Sequence, residues 1–305
     1  MSGDGADAPA RLTGAAAEVE ASAAGPQVGA FFDLDGTLVA GYTAAAQTRD
    51  RLRRRDLRII EFLVIVQLAV QFRLGRRAFE TLIEGSARTV RGRLAADVDA
   101  MGERVFHRSV AGRVYPEMRE LVQAHQRRGH TVVVSSSALT NQVAPVARYL
   151  GIEHVVCNRL VADDHGILTG EVEPPVMWGP TKASSVQRFA VGHQVDLSAS
   201  YFYADGDEDL SLMRLVGHPR PTNPESRLTR AAVRCGWPIL RFSRPGGRGA
   251  LGVARRLASA GSLGPLAAAA LGVGIARRNK RAGINSGRQH DGPHPRPDDA
   301  VSRQA

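Results

Sequence analysis

The hydrophobic pattern changes period several times along the chain, and those changes divide it. Residues 1–27 are mostly Ala, Gly, Ser and acidic side chains with almost nothing large enough to bury, which predicts a disordered leader. Val28-Gly-Ala-Phe-Phe-Asp-Leu34 is an apolar run of strand length that leads into Gly36. From about 43 to 110 the pattern becomes helical, with Arg-rich faces and an apolar stretch, Ile59–Val70, interrupted by Glu61 and Gln67. That stretch is too short to span a bilayer and reads as the buried helix of a small helical domain.

Beyond residue 114, short apolar strands alternate with helices. A helix starts at Pro116 and ends near Gly129; Thr131–Val134 is a strand, a helix runs to about 150, and Val155–Cys157 is another strand. Leu160 to Val172 reads as a hairpin around Asp164-His165-Gly166. Gly179-Pro180 opens a helix, Tyr201–Ala204 is a strand, helices follow to about 216 and over 224–234, and Pro238–Arg241 is a last strand. The alternation predicts an α/β fold, a Rossmann-like parallel sheet flanked by helices. The expected division is a core of residues 28–39 and 114–243, a helical insertion at 40–113, and a tail at 244–305.

Composition adds three constraints. With 43% hydrophobic residues in 305, the chain has enough apolar material for a sizeable core. Its two cysteines, Cys157 and Cys235, make no disulfide framework and suggest a reducing compartment; with no signal pattern at the N-terminus, a cytoplasmic protein is expected. The charge is uneven: residues 241–305 carry 12 basic and 3 acidic side chains, so most of the net +10 belongs to the tail. Arginine supplies all but two of the 40 basic residues, so Lys182 and Lys280 stand out.

The chemistry concentrates at strand ends. In Phe31-Phe-Asp-Leu-Asp-Gly-Thr-Leu38, residues two apart share one side of an extended strand, so Asp33 and Asp35 present their carboxylates together. Open α/β sheets bind ligands at that end. Two close carboxylates repel unless a cation or shared proton compensates, which points to a hard divalent ion, Mg²⁺ suiting phosphate chemistry best. Tyr201-Phe-Tyr-Ala-Asp-Gly-Asp-Glu-Asp209 repeats the arrangement, with Asp205 at the strand end and Asp209 one loop on. Ser135 ends the second strand, where a hydroxyl and nearby N–H groups suit a phosphate oxygen. Lys182, in the first turn of its helix, reads as a compact cation with a specific task. The histidines lack metal-ligand spacing.

In this order and on these elements, the four pieces resemble the haloacid-dehalogenase-like hydrolase superfamily. Asp33-Leu-Asp-Gly-Thr is similar to its first motif, Ser135 after Val132-Val-Val134 to the second, Lys182 to the third and Asp205-Gly-Asp-Glu-Asp209 to the fourth. The helical insertion resembles the cap of the subfamily that includes phosphoserine phosphatase, as do Val216–Pro224 and Cys235–Leu240. The resemblance covers about 28–243. It implies a Mg²⁺-dependent phosphomonoester hydrolase in which Asp33 attacks phosphorus and forms an aspartyl-phosphate, while Asp35 acts as acid and then base. It further implies that Ser135, Lys182 and Gly36 bind phosphate and that Asp33, Asp35, Asp205 and Asp209 make up the metal site. Phosphoserine enzymes carry an acid shortly after the first motif; here Leu38-Val-Ala-Gly-Tyr-Thr43 has none, so the expected substrate is another small anionic phosphomonoester. Arg49, Arg51, Arg53, Arg54, Arg55 and Arg58 offer cations in the cap, most of them on a solvated helix face.

The tail holds a 14-residue apolar run, Leu263–Ala276, followed by Arg277-Arg-Asn-Lys-Arg281, a combination suited to an anionic lipid surface. It resembles the connector between this kind of phosphatase domain and a 1-acylglycerol-3-phosphate acyltransferase domain, but a polar Gly/Pro/Asp/Arg stretch follows it. The competing reading is a non-catalytic partner or membrane-docking module related to phospholipid synthesis. Nucleic acid is a poor partner, because only Trp237 and Phe242 lie near the basic segment.

Overall fold

The computed structural model describes residues 7–73, 79–243 and 245. The chain runs α1 (Asp7–Ala21), β1 (Val28–Phe32), α2 (Thr43–Arg53), α3 (Ile59–Arg73), α4 (Phe79–Arg88), α5 (Ala95–Val105), α6 (Pro116–Arg127), β2 (Thr131–Leu139), α7 (Thr140–Leu150) and β3 (His154–Asn158). It continues through β4 (Leu160–Ala162), β5 (Leu168–Val172), α8 (Pro180–Gly192), β6 (Asp196–Ala204), α9 (Leu210–Met213), β7 (His218–Pro221) and α10 (Ser226–Cys235). Five strands form one parallel sheet in the order β3-β2-β1-β6-β7.

A parallel sheet covered on both faces needs apolar residues at both parities of its strands, and β1 is buried at every position. Phe32 packs into the core with Met118 and Leu121 of α6 and Val143 and Val146 of α7. Phe31 turns the other way, toward Ala183 and Val186 of α8 and Leu228 of α10. Phe32 also stacks on Tyr203 of β6, with ring centroids 4.6 Å apart. Helices α2–α5 lie between β1 and β2 in the chain, and a third core cluster joins Leu57, Ile65, Phe79, Leu82 and Ile83 with Leu139 and Val172.

The expected disordered leader is corrected over residues 7–27. Helix α1 forms and docks on α6, burying Ala15 and Val19. Its acids reach two partners: Glu20 accepts bonds of 2.6 and 2.9 Å from Arg127, and Glu18 pairs with Arg220 of β7. A directional chain holds the connection that follows. Nε2 of His130 lies 2.8 Å from the Ala23 carbonyl, which only accepts, so that nitrogen carries the proton. In a neutral ring, Nδ1 of His130 then accepts from Nδ1 of His125 at 2.8 Å, and Nε2 of His125 accepts from the Tyr203 hydroxyl at 3.0 Å.

Other elements differ in detail. The stretch Ile59–Val70 is helical, as expected, but not buried: Ile59, Ile60, Leu63, Val64 and Val70 are exposed. The hairpin strands β4 and β5 make a separate two-stranded sheet, and bonds between Leu168 and the loop at Gly92 and Arg93 tie it to the helical segment. The helix expected up to 216 ends at Met213. His218–Pro221 adds an unforeseen edge strand, where prolines are tolerated, whereas Pro238–Arg241 contributes only a bridge from Leu240 to Thr222. The tail expected at 244–305, with its apolar and basic segment at 263–281, lies outside the described residues except for 245. Among the described residues, no helix is long and apolar enough to cross a membrane.

Candidate active site

Because β1 is central, its carboxyl end emerges between those of β2 and β6; Phe32 pairs with both Val134 and Tyr203. Asp33, Ser135 and Asp205 follow within two residues of those pairs and therefore meet at one edge of the sheet. Asp33 and Asp205 are each only 8% exposed. Thr37 Oγ1 lies 3.5 Å from the Asp205 carboxylate. Gly36 explains how Asp205 approaches so closely: its φ is +87°, and a Cβ there would overlap the Asp205 carboxylate. Its N–H is shared by the carbonyls of Val39 and Gly41 at 2.8 and 3.2 Å. Gly36 thus contributes a missing side chain, in contrast to the expected phosphate-binding role, because its donor is already engaged within the turn.

Lys182 is buried between two carboxylates, with Nζ at 2.7 Å from Asp33 and 2.7 Å from Asp209. Burial works against its charge, but Asp209 and Asp33 more than offset that and raise its pKa. The pair of acids explains why a lysine is kept in an arginine-rich chain: one compact ammonium donates to Asp33 and pairs with Asp209, with no room required for a planar fork. Burial pushes Asp209 up to about 6 against the pull of Lys182, and burial also drives the neighbouring Glu208 well upward.

Asp35 faces elsewhere. Its carboxylate accepts bonds from the Thr43 N–H at 2.8 Å and the Thr43 hydroxyl at 3.1 Å. Burial pushes it up to about 7, and the charge of Asp33 adds to the rise, while the Thr43 bonds and Arg113 oppose it. The side chains of Asp35 and Asp209 are therefore each held by a protein partner, Asp35 by Thr43 and Asp209 by Lys182. Ser135 is fully buried, and its hydroxyl has no hydrogen-bond partner among the described residues.

A cavity of about 460 Å³ opens over Asp33, Asp35 and Asp205. Ser136 and Ser137 line it, as do apolar side chains of the helical segment. Of the six expected arginines, Arg51 reaches this cavity, but it is bonded to Thr89 at 2.7 and 3.0 Å and to the Asp56 carbonyl at 3.2 Å. Arg53, Arg54, Arg55 and Arg58 are exposed. Sequence reasoning missed Thr43, Arg113 and the amide cluster in which Gln47 Oε1 accepts from Asn141 at 3.1 Å and Gln142 at 2.9 Å. A threonine eight residues past Asp35 carries no motif signal, and the amides meet only through the fold. Among the described residues, no three His, Cys, Asp or Glu side chains gather as a metal cluster.

Residues 30–214 match the family described as haloacid dehalogenase-like hydrolase. The chain is 32% identical over 229 residues to the "inhibition of morphological differentiation protein" of Streptomyces azureus, covering 72% of this chain and 80% of that one. It is 30% identical over 247 residues to a phosphoserine phosphatase of Mycobacterium tuberculosis, covering 79% of each chain. Its fold is similar to a crystal structure of a Bordetella pertussis protein of unknown function, with TM-score 0.60, 22% identity, and coverage of 70% of this chain and 98% of that one.

Proposed function

The chain belongs to the haloacid dehalogenase-like hydrolases, and from that premise we propose that it hydrolyses phosphomonoesters through Asp33 with the assistance of Mg²⁺. The observation that carries this reading is the buried Asp33–Lys182–Asp209 contact beside an Asp35 whose pKa lies near 7. Lys182 Nζ lies 2.7 Å from the Asp33 carboxylate and fixes the group that would act as nucleophile. Asp35 is poised to hold a proton at neutral pH and to exchange it.

In the first step, a carboxylate oxygen of Asp33 bonds to phosphorus as the bond to the leaving oxygen breaks, and Asp35 gives its proton to that oxygen. In the second, Asp35 takes a proton from water as the water oxygen attacks phosphorus, releasing phosphate and restoring Asp33. Lys182 neutralises charge on the transferring phosphoryl group, and the buried Ser135 hydroxyl donates to one of its oxygens. The thirteen-residue helix α8 fixes Lys182 through Ala183 and Val186, so the ammonium needs no reorganisation during the reaction.

The donor chemistry fits Mg²⁺. Asp33 and Asp205 offer hard carboxylate oxygens, no imidazole or thiol lines the cavity among the described residues, and the missing Cβ of Gly36 lets the Asp205 carboxylate reach this edge of the sheet. Two carboxylates with a main-chain carbonyl, such as that of Asp35, suffice, since magnesium keeps several waters. Bound there, the ion would withdraw charge from the phosphoryl oxygens.

The test is phosphate release from a panel of phosphomonoesters with Mg²⁺, comparing the intact chain with Asp33→Asn. Release should fall by about 10³-fold or more in the variant. Equal release from both proteins would remove Asp33 from the mechanism.

A further inference from the structure

Helix α3 is apolar on two sides, and the two sides meet different surroundings. Its inner residue Ile65 is buried and lines the catalytic cavity. Its outer residues Ile59, Ile60, Leu63, Val64 and Val70 are 78, 59, 53, 41 and 46% exposed. At about 100° per residue these five fall within an arc of about 140°, so they share one face of the helix, with Gln67 and Gln71 as its polar members.

A basic segment leads into the N-terminal end of that helix and forms a rim there. Arg53, Arg55 and Arg58 are exposed and make no ion pair among the described residues. The acids of the same segment are engaged elsewhere: Asp50 with Arg54 and Arg108, Asp56 with Arg93, and Glu61 with the Arg58 N–H and Arg51. The rim therefore retains its positive charge, and the sequence after residue 240 adds a net +9. An apolar helix face bordered by uncompensated arginines is complementary to a lipid surface that carries anionic headgroups. A second copy is a poorer match, because a two-fold contact through this face would bring the two arginine rims together.

The cavity behind α3 has matching chemistry. Phe79 and Ile83 of α4, Val90, Val98 and Trp178 join Ile65 in lining it, and Phe79 stacks on Trp178 with centroids 4.1 Å apart. At about 460 Å³, it holds much more than a phosphate and its immediate carbon. Resting on the phosphatase reading above, we infer that α3 docks this protein on an anionic bilayer and that the substrate is an amphiphilic phosphomonoester drawn from that bilayer. Its phosphate would meet Asp33 while its apolar portion occupies the space walled by Ile65, Phe79 and Trp178.

The test uses the full chain, a double variant Ile60→Glu/Leu63→Glu whose changed residues do not line the cavity, and two readouts. In co-sedimentation, the unaltered protein should bind phosphatidylglycerol vesicles at least tenfold better than phosphatidylcholine vesicles, and the variant should lose that preference. In phosphate release, a long-chain acylglycerol phosphate presented in phosphatidylglycerol vesicles should be cleaved at least tenfold more slowly by the variant, while a water-soluble aryl phosphate is cleaved within twofold by both. The aryl ester shows that the variant is folded and the catalytic site intact. No vesicle binding by the unaltered protein, or equal binding by the variant, overturns the docking assignment. A concentration-dependent dimer that the variant abolishes, without vesicle binding, gives the face to a second copy and overturns it too. Vesicle binding with no cleavage of either ester sinks the phosphatase reading and the substrate assignment, and supports docking alone.

Discussion

The His125–His130 chain makes stability depend on pH with a definite sign. His125 is fully buried, and burial lowers its pKa well below 6.5, with the neighbouring His130 and Arg220 adding to the depression. His130 is lowered as well, by burial and Arg128, though its bond to Ala23 opposes the change. A base whose pKa is depressed on folding is neutral in the native state and protonated in the unfolded one. Stability is therefore complete above the unfolded value of about 6.5 and declines as pH falls below it. For a single such group, moving from pH 7.5 to 5.5 costs about 1.4 kcal/mol. Asp35 and Asp209, raised to about 7 and about 6, act in the opposite direction over the same range. The measurement must therefore be a difference. Urea unfolding of the intact chain and of His125→Gln, each at pH 7.5 and 5.5, cancels the carboxylates. The intact chain should lose about 1.4 kcal/mol more than the variant. An identical pH dependence in the two proteins would refute the linkage and the tautomer assignment behind it.

Three further outcomes follow from the site. Lys182→Met leaves Asp33 and Asp209 buried without their shared cation, so turnover should fall about 10²–10³-fold and unfolding free energy by about 3–5 kcal/mol, read by phosphate release and urea titration. Gly36→Ala combines a φ of +87° with overlap on Asp205, whereas Gly129→Ala, at +70° with open space around it, meets backbone strain alone. The first should cost at least 1 kcal/mol more than the second and abolish activity, and equal melting temperatures would count against the close approach of Asp205. Chelation with EDTA should stop phosphate release and Mg²⁺ should restore it, with Asp205→Asn raising the Mg²⁺ needed for half-maximal rate at least tenfold.

Residues that carry chemistry by their position at a strand end were legible, because strand period and sheet topology determine where they emerge. Asp33 and Asp205 could be singled out that way, and Lys182 by its rarity in an arginine-rich chain; the structure sets Lys182 against Asp33 and Asp205 beside Gly36. Their supporting contacts could not. Thr43 bonds Asp35, and Gln47 bonds Asn141 across 94 residues of chain, only because helices fold back over the sheet. Small side chains in helix α1 point to disorder, whereas its docking uses Ala15 and Val19, among the residues whose side chains are described, and two acids whose partners lie 107 and 202 residues away.

The misreading of α3 has a different origin. A helix with apolar residues on more than one side ordinarily means burial on each of those sides, since water is the alternative. Here Ile65 faces the cavity and Leu63 faces outward, so the pattern was read correctly and the inference from it was too narrow. Apolar residues on two sides say only that neither side is designed for water; they do not say that protein covers both. With uncompensated arginines at its edge and a largely apolar cavity behind it, a lipid surface meets that condition on the outer side and an acyl chain meets it on the inner one. The same residues would then account for both the anomaly in the sequence and the shape of the cavity.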